Sequence, residues 1–112
     1  MTELIEYYRM LEKNREFFEK AERIASDIKS KAREIFRDCE VYIVGSFARK
    51  EHNLSSDLDI LIVSDEIPEK LDLEFYCKLV KNLSTDERVN IHPINRRKFK
   101  EIEKIYSPKI PV

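Results

Sequence analysis

An α/β (α+β) fold, in which a small mixed sheet is flanked by helices and preceded by a long N-terminal helix, is predicted by three observations. Residues 2–37 contain neither Pro nor Gly and are rich in helix formers, so one long helix is the default. Short apolar runs of strand length follow, within 40–44, 58–63 and 89–94. Between them lie polar stretches and two further helical patterns. The sole glycine, Gly45, closes the first run, and a pair of aspartates, Asp57 and Asp59, opens the second.

In the first helix Leu4, Leu11, Phe18, Ala25 and Ala32 recur every seven residues. Tyr7, Ala21, Ile28 and Ile35 fill the second seam position, with Asn14 the exception, giving a heptad-like stripe. About 35 helical residues span about 50 Å. A domain of this length has a radius of gyration near ~13 Å. The helix must therefore overhang, break near Asn14 and fold back, or pack on another chain. Its C-terminal half, with small Ala25 and Ala32, is expected on the sheet. The N-terminal half, with Tyr7, Tyr8, Leu11, Phe17 and Phe18, is the candidate surface for a partner, including a homo-oligomer through this helix.

The first strand is expected over Glu40 to Val44. The second runs from Leu58 to Val63, and its near-continuous apolar character marks a central strand covered on both faces. Pro68 suits the first turn of a helix that carries Leu71 to Leu83. A third strand covers Val89 to Ile94. A last short helix follows Asn95 and ends near Tyr106. The Ser-Pro-Lys-Ile-Pro-Val ending excludes regular helix, leaving a frayed tail or a docked extended arm. At 112 residues this reads as one domain, with a helix at 1–37, a sheet core at 40–94 and a C-terminal helix and tail at 95–112.

Composition narrows the function classes. A net charge of −1 gives no field to attract nucleic acid, so autonomous RNA or DNA binding is not expected. The dense basic cluster, Arg96-Arg97-Lys98 with Lys100, reads as a solvated helix face or as a phosphate-contacting lip. No apolar run approaches a membrane span, and the start lacks a signal-peptide pattern. Cys39 and Cys77 have no motif spacing and read as buried thiols without a disulfide, so a cytoplasmic protein is expected.

The chemistry concentrates between residues 41 and 63. Gly45 tolerates positive φ and close approach of another group. Ser46 and a short helical segment follow, a corner suited to an anion. Arg49 and Lys50 stand next, either as charge for that anion or as ordinary exposed residues. Asp57 and Asp59 are two apart on a strand, so both carboxylates leave the same face. Carboxylates that close repel unless a proton or a cation lies between them. Mg²⁺, which binds through one or two carboxylates plus phosphate oxygens, meets that need. His52, in the loop from Glu51 to Ser56, could contact a base or phosphate, or simply be solvated.

Gly45-Ser46, a gap, then Asp57-x-Asp59 with apolar neighbours resembles the signature of the DNA polymerase β-type nucleotidyltransferase superfamily. The chain's size is closest to its minimal members, often encoded beside HEPN-domain proteins. The resemblance is firm over Val41 to Val63 and otherwise rests on element order. It implies the nucleotidyltransferase fold, nucleotide binding at Gly45 and Ser46 with Arg49 and Lys50 as candidates, and Mg²⁺ held by catalytic Asp57 and Asp59. It further implies transfer of a nucleoside monophosphate from an NTP, expected to be ATP, to a hydroxyl. A HEPN-type partner protein as acceptor would make the chain antitoxin-like.

One position departs from that pattern. Where the family carries a third carboxylate on the neighbouring strand, this sequence has Asn90, which cannot accept a proton as a carboxylate does. Asp86 or Glu87 could reach in, His92 on the same face could serve as base, or the chain could be a catalytically weak or inactive nucleotide- and partner-binding module.

Overall fold

The computed structural model describes residues 2–51, 57–84 and 86–112, without the side chains at positions 14, 17 and 18. Helix α1 (Thr2–Ile35) leads into strand β1 (Glu40–Val44), a single helical turn α2 (Gly45–Ala48) and strand β2 (Leu58–Ser64). Helix α3 (Leu73–Leu83), strand β3 (Val89–Asn95) and helix α4 (Arg96–Ile102) follow. A 3₁₀ turn at Glu103–Tyr106 and a short strand β4 (Ile110–Pro111) complete the order.

The four strands form one mixed sheet in the order β3-β2-β1-β4. β2 runs antiparallel to β1 and parallel to β3, while β4 pairs antiparallel with the outer side of β1. Strand β2 is inside the sheet, and from Ile60 to Ser64 every residue is buried. That is the burial its near-continuous apolar sequence requires.

Alternation along the strands sorts the core into two layers. Val41, Ile43, Leu58, Ile60, Ile62, Val89 and Ile91 face one side and pack with α1 and α3. Each fully buried side chain of this kind contributes about 1.5–3 kcal/mol from removal of apolar surface from water. Ala25 and Ala32 are completely buried, so α1 presents small residues where it crosses the sheet. On the other side Val44, Leu61, Val63, Ile94 and Phe99 form a second cluster, with Tyr42, Ile102 and Tyr106 at its margin. This second face belongs to α4 and the 3₁₀ turn, and it leads directly to the acidic end of β2.

Helix α1 is unbroken over 34 residues and the molecule measures 55 × 28 × 22 Å, so overhang, one of three expected outcomes, is realised. Among the described side chains of α1 burial starts at Ala21; Leu4, Tyr7, Tyr8 and Leu11 are all exposed. The readings placed on the side chains of Asn14, Phe17 and Phe18 lie outside the described residues.

One expectation is corrected, and one of the two alternatives for the C-terminal ending is realised. Pro68 does not open the third helix. Instead the chain turns through 65–70, and α3 starts at Leu73, where the Asp72 carboxylate caps the helix by accepting from Phe75 N at 2.7 Å. An aspartate able to satisfy an orphan N–H outcompetes a proline that merely tolerates the first turn. The C-terminal segment, assigned above as helix and tail, contains a strand that belongs to the sheet. Ile110 pairs with Ile43, Val112 N donates to Val41 O at 2.9 Å, and Lys29 Nζ donates to Val112 O. The docked arm, not the frayed tail, is what forms.

The basic cluster also resolves. Arg96 is drawn into a three-acid cluster, with Asp65 at 2.6 Å, Asp38 at 3.1 Å and Glu40 at 3.6 Å. It ties the start of α4 to the end of β2 and the α1–β1 turn. Arg97 lies 3.9 Å from Glu69, and Lys98 alone lines the groove described below. The four side chains do not act together as a phosphate lip.

Candidate active site

Strand register brings the site together. Val44, the last residue of β1, pairs with Asp59, and Asp59 pairs on its other side with Asn90. Asp57 precedes Asp59 on the same face, and His92 follows Asn90 on that face of β3. Four polar residues from two strands therefore share one patch beside the β1–α2 corner.

Their contacts are short. Asn90 Nδ2 donates to Asp59 Oδ1 at 3.2 Å and to Asp57 Oδ2 at 3.5 Å. His92 Nε2 stands 3.2 Å from the same Asp59 Oδ1. One amide thus touches both carboxylates, which places them near a common point. Asp59 is half-buried, whereas Asp57 and Asn90 are exposed.

Gly45 is held against this cluster. Its φ is +73°, in the left-handed region that L side chains avoid. A Cβ at this position would lie 2.4 Å from Asp59 Oδ2 and 3.2 Å from its carboxyl carbon. Glycine is required here on two independent grounds, and both concern the approach of the corner to Asp59. The chain then makes one helical turn, and Ser46 accepts from Glu51 N at 2.9 Å through its carbonyl. Ser46 is half-buried next to Gly45.

A cavity of about 200 Å³ opens over the corner, lined by Val44, Gly45, Arg49, Asp59, His92 and the 105–108 segment. Arg49 stands at its rim and is paired with Glu51 at 3.0 Å. Lys50 is exposed, has φ of 59° and does not line the cavity. Of the two candidate basic residues the structure brings only Arg49 to the corner. On the far side of His92 runs a larger groove of about 720 Å³. Its walls are the 68–71 segment and Tyr76 on one side and Lys98, Ile102 and Tyr106 on the other. His92 and Tyr106 line both spaces, so the two meet at the acidic patch.

The alternatives for the missing carboxylate are placed differently. Asp86 is engaged in its own turn, where Oδ1 accepts from Arg88 N at 2.9 Å, and Glu87 is exposed in the same turn. His92 is in direct contact with Asp59. His52 and the rest of 52–56 lie outside the described residues. Sequence reasoning placed His92 on the correct face, but its contact with Asp59 depends on the parallel register of β2 and β3. The wall at 105–108 was not foreseen; the Ser-Pro step after Tyr106 was its only local signal.

The comparisons with known proteins bear on this geometry. A family model described as a nucleotidyltransferase domain matches residues 22–110. The chain belongs to that family. Two solved structures share its architecture. One is a candidate nucleotidyltransferase from Sulfolobus solfataricus, 22% identical over 91% of this chain and 84% of its own, with a TM-score of 0.61. Another candidate nucleotidyltransferase is 26% identical over 78% of this chain and 95% of its own, with a TM-score of 0.58. No curated protein sequence matches. The general chemistry of a nucleotidyltransferase is transfer of a nucleoside monophosphate, typically with a divalent metal.

The residues of this nucleotidyltransferase suit such a metal in one respect. Asp57 and Asp59 offer hard oxygen donors reaching one amide, the donor type that Mg²⁺ and its relatives prefer. Among the described residues no group of three or more His, Cys, Asp or Glu side chains is placed to hold a metal ion. Two carboxylates leave ligand positions for phosphate oxygens and water, as a substrate-bridging ion needs. No helix of the described residues is long and apolar enough to cross a membrane.

Proposed function

We propose that this nucleotidyltransferase transfers a nucleoside monophosphate from an NTP, with ATP the expected donor, to a hydroxyl on a partner protein. The observation that carries the reading is the packing of Gly45 against Asp59: the corner and the acidic pair form one site. Asp57 and Asp59 would hold Mg²⁺, which would supply charge neutralisation to the triphosphate and to the leaving pyrophosphate. Gly45 and Ser46 let the triphosphate approach the backbone, and Arg49 exchanges its Glu51 partner for a phosphate oxygen. The acceptor hydroxyl gives its proton to His92, the base candidate on this face, as its oxygen attacks the α-phosphorus to form the new P–O bond, and the bond to the β-phosphate oxygen breaks to release pyrophosphate. Positioning and electrostatics supply most of the rate in such a displacement.

The larger groove, opening at His92, supports an acceptor that enters between the 68–71 segment and α4. Its walls mix Pro, Leu, Ile and Tyr side chains with Glu69, Lys70 and Lys98, a surface that a protein segment can match, and the net charge of −1 does not favour a nucleic acid. A neighbouring HEPN-domain protein, with this chain as its antitoxin-like modifier, is the partner this reading favours.

A second reading is favoured by Asn90. Its amide donates to both carboxylates where a third carboxylate would accept the hydroxyl proton, so the chain would bind nucleotide and partner with little or no turnover. Incubation with Mg²⁺, α-labelled ATP and the protein encoded beside it separates the two. Label on that protein, absent with Asp57→Ala, supports transfer. A stable complex without label, together with labelling gained in Asn90→Asp, supports the binding module.

A further inference from the structure

The unexplained part of the molecule is the first half of α1. From Ala21 onward the helix buries one stripe on the sheet, at Ala21, Ala25, Ile28 and Ala32. Beyond the sheet the same heptad positions continue through Leu11, Tyr7 and Leu4, which are 44%, 52% and 59% exposed, flanked by Tyr8 at 62%. Ile5 and Met10 widen the face. Residues 2–20 project about 28 Å at the helical rise per residue. A monomer gains nothing from keeping the apolar stripe of its core going along a helix in water.

From this we infer that the projecting half of α1 pairs with the same half of a second copy of this chain, in an antiparallel two-helix seam. Four arguments select that occupant. A seven-residue repeat drifts around a straight helix and stays on one seam only when the helix coils about another helix, so the complement is helical. Leu4, Tyr7, Tyr8 and Leu11, each roughly half exposed, with Met10 at the seam's edge, supply the apolar centre of an interface whose standard size is ~800 Å² per partner. Residues 2–20 carry five Glu interspersed with four Lys or Arg, so identical copies meet without a single-sign field. The sheet already covers this stripe past residue 20; a parallel partner would drive its own domain into that place, whereas an antiparallel one puts the two domains at opposite ends.

Overlap of the two projecting halves centres the two-fold axis near Leu11. Leu11 then faces its own copy and Tyr8 lies near Arg15 of the other chain, a pairing without like charges at the seam. The seam lies on the opposite side of the sheet from Asp59, so it is independent of nucleotide transfer.

The test uses the full chain in sedimentation equilibrium and in cysteine cross-linking. Wild type is expected to be dimeric at micromolar concentration. Leu4→Glu with Leu11→Glu is expected to weaken the dimer by about a hundredfold or more, and, at concentrations low enough to keep both proteins monomeric, to melt as wild type does because both side chains are exposed in the single chain. In a Cys77→Ser background, Leu11→Cys is expected to form a disulfide dimer on mild oxidation, and Leu4→Cys is not. A wild-type monomer, a dimer indifferent to the two glutamates, or equal cross-linking through Leu4→Cys and Leu11→Cys would each overturn the antiparallel self-pairing. A monomer that a different protein then captures through α1 counts against it as well.

Discussion

Strand β2 has two faces with different tasks. Leu58, Ile60 and Ile62 point to α1 and α3 and are almost completely buried. On the other face Asp57 and Asp59 come first, followed by buried Leu61 and Val63. The first face is apolar from Leu58 to Ile62 and holds the sheet in place. The second is apolar only where α4 covers it, and its uncovered start carries the charge. The contrast shows how the site is kept rigid at small cost. Two carboxylates that repel each other are mounted on a strand whose reverse side is locked by packing, so their spacing is set by the core and not by their own interaction.

Substitutions should therefore separate chemistry from stability. The largest effect is expected from Asp59→Ala, with nucleotidyl transfer reduced about a thousandfold or more while thermal unfolding moves little, measured by label transfer and calorimetry on the same preparation. Ile60→Ala should do the reverse. It opens a cavity in the locked face and costs about 2–5 kcal/mol in urea unfolding, with transfer per folded molecule preserved. Gly45→Ala crosses the divide. The left-handed backbone costs about 1–2 kcal/mol in an L residue, and the new Cβ pushes Asp59 from its position, so unfolding midpoint and Mg²⁺-ATP affinity should both fall. Leu11→Ser, on the projecting half of α1, should change the stability of the single chain by no more than about 0.5 kcal/mol at low concentration.

Much of this division was legible before any coordinates. The alternation of Asp57, Asp59, Leu61 and Val63 against Leu58, Ile60 and Ile62 is a local property of a strand, and Gly45 as the sole glycine pointed to its own backbone requirement. The absence of Pro and Gly gave α1 its length, and overhang was one of three outcomes that this length allowed. What remained hidden depends on pairing between distant segments. His92 touches Asp59 only because β3 runs parallel to β2 in the register that sets Asp59 beside Asn90. Ile110 and Pro111 form a strand only because β1 has a free edge to receive them. The start of α3 was misplaced because Pro68 and Asp72 are both good initiators, and the choice falls to the one that caps an N–H. Arg96 left the basic cluster for three acids that come from three separate segments.

Whether the corner at Gly45 and the acidic start of β2 work as one nucleotide site is measured most directly by calorimetric titration of ATP in the presence of Mg²⁺, comparing wild type with Asp59→Ala. Saturable one-to-one binding is expected for the wild type, lost on removing Mg²⁺ and lost again in the variant. Equal affinity in the two proteins, or binding that ignores the metal, would contradict a shared site.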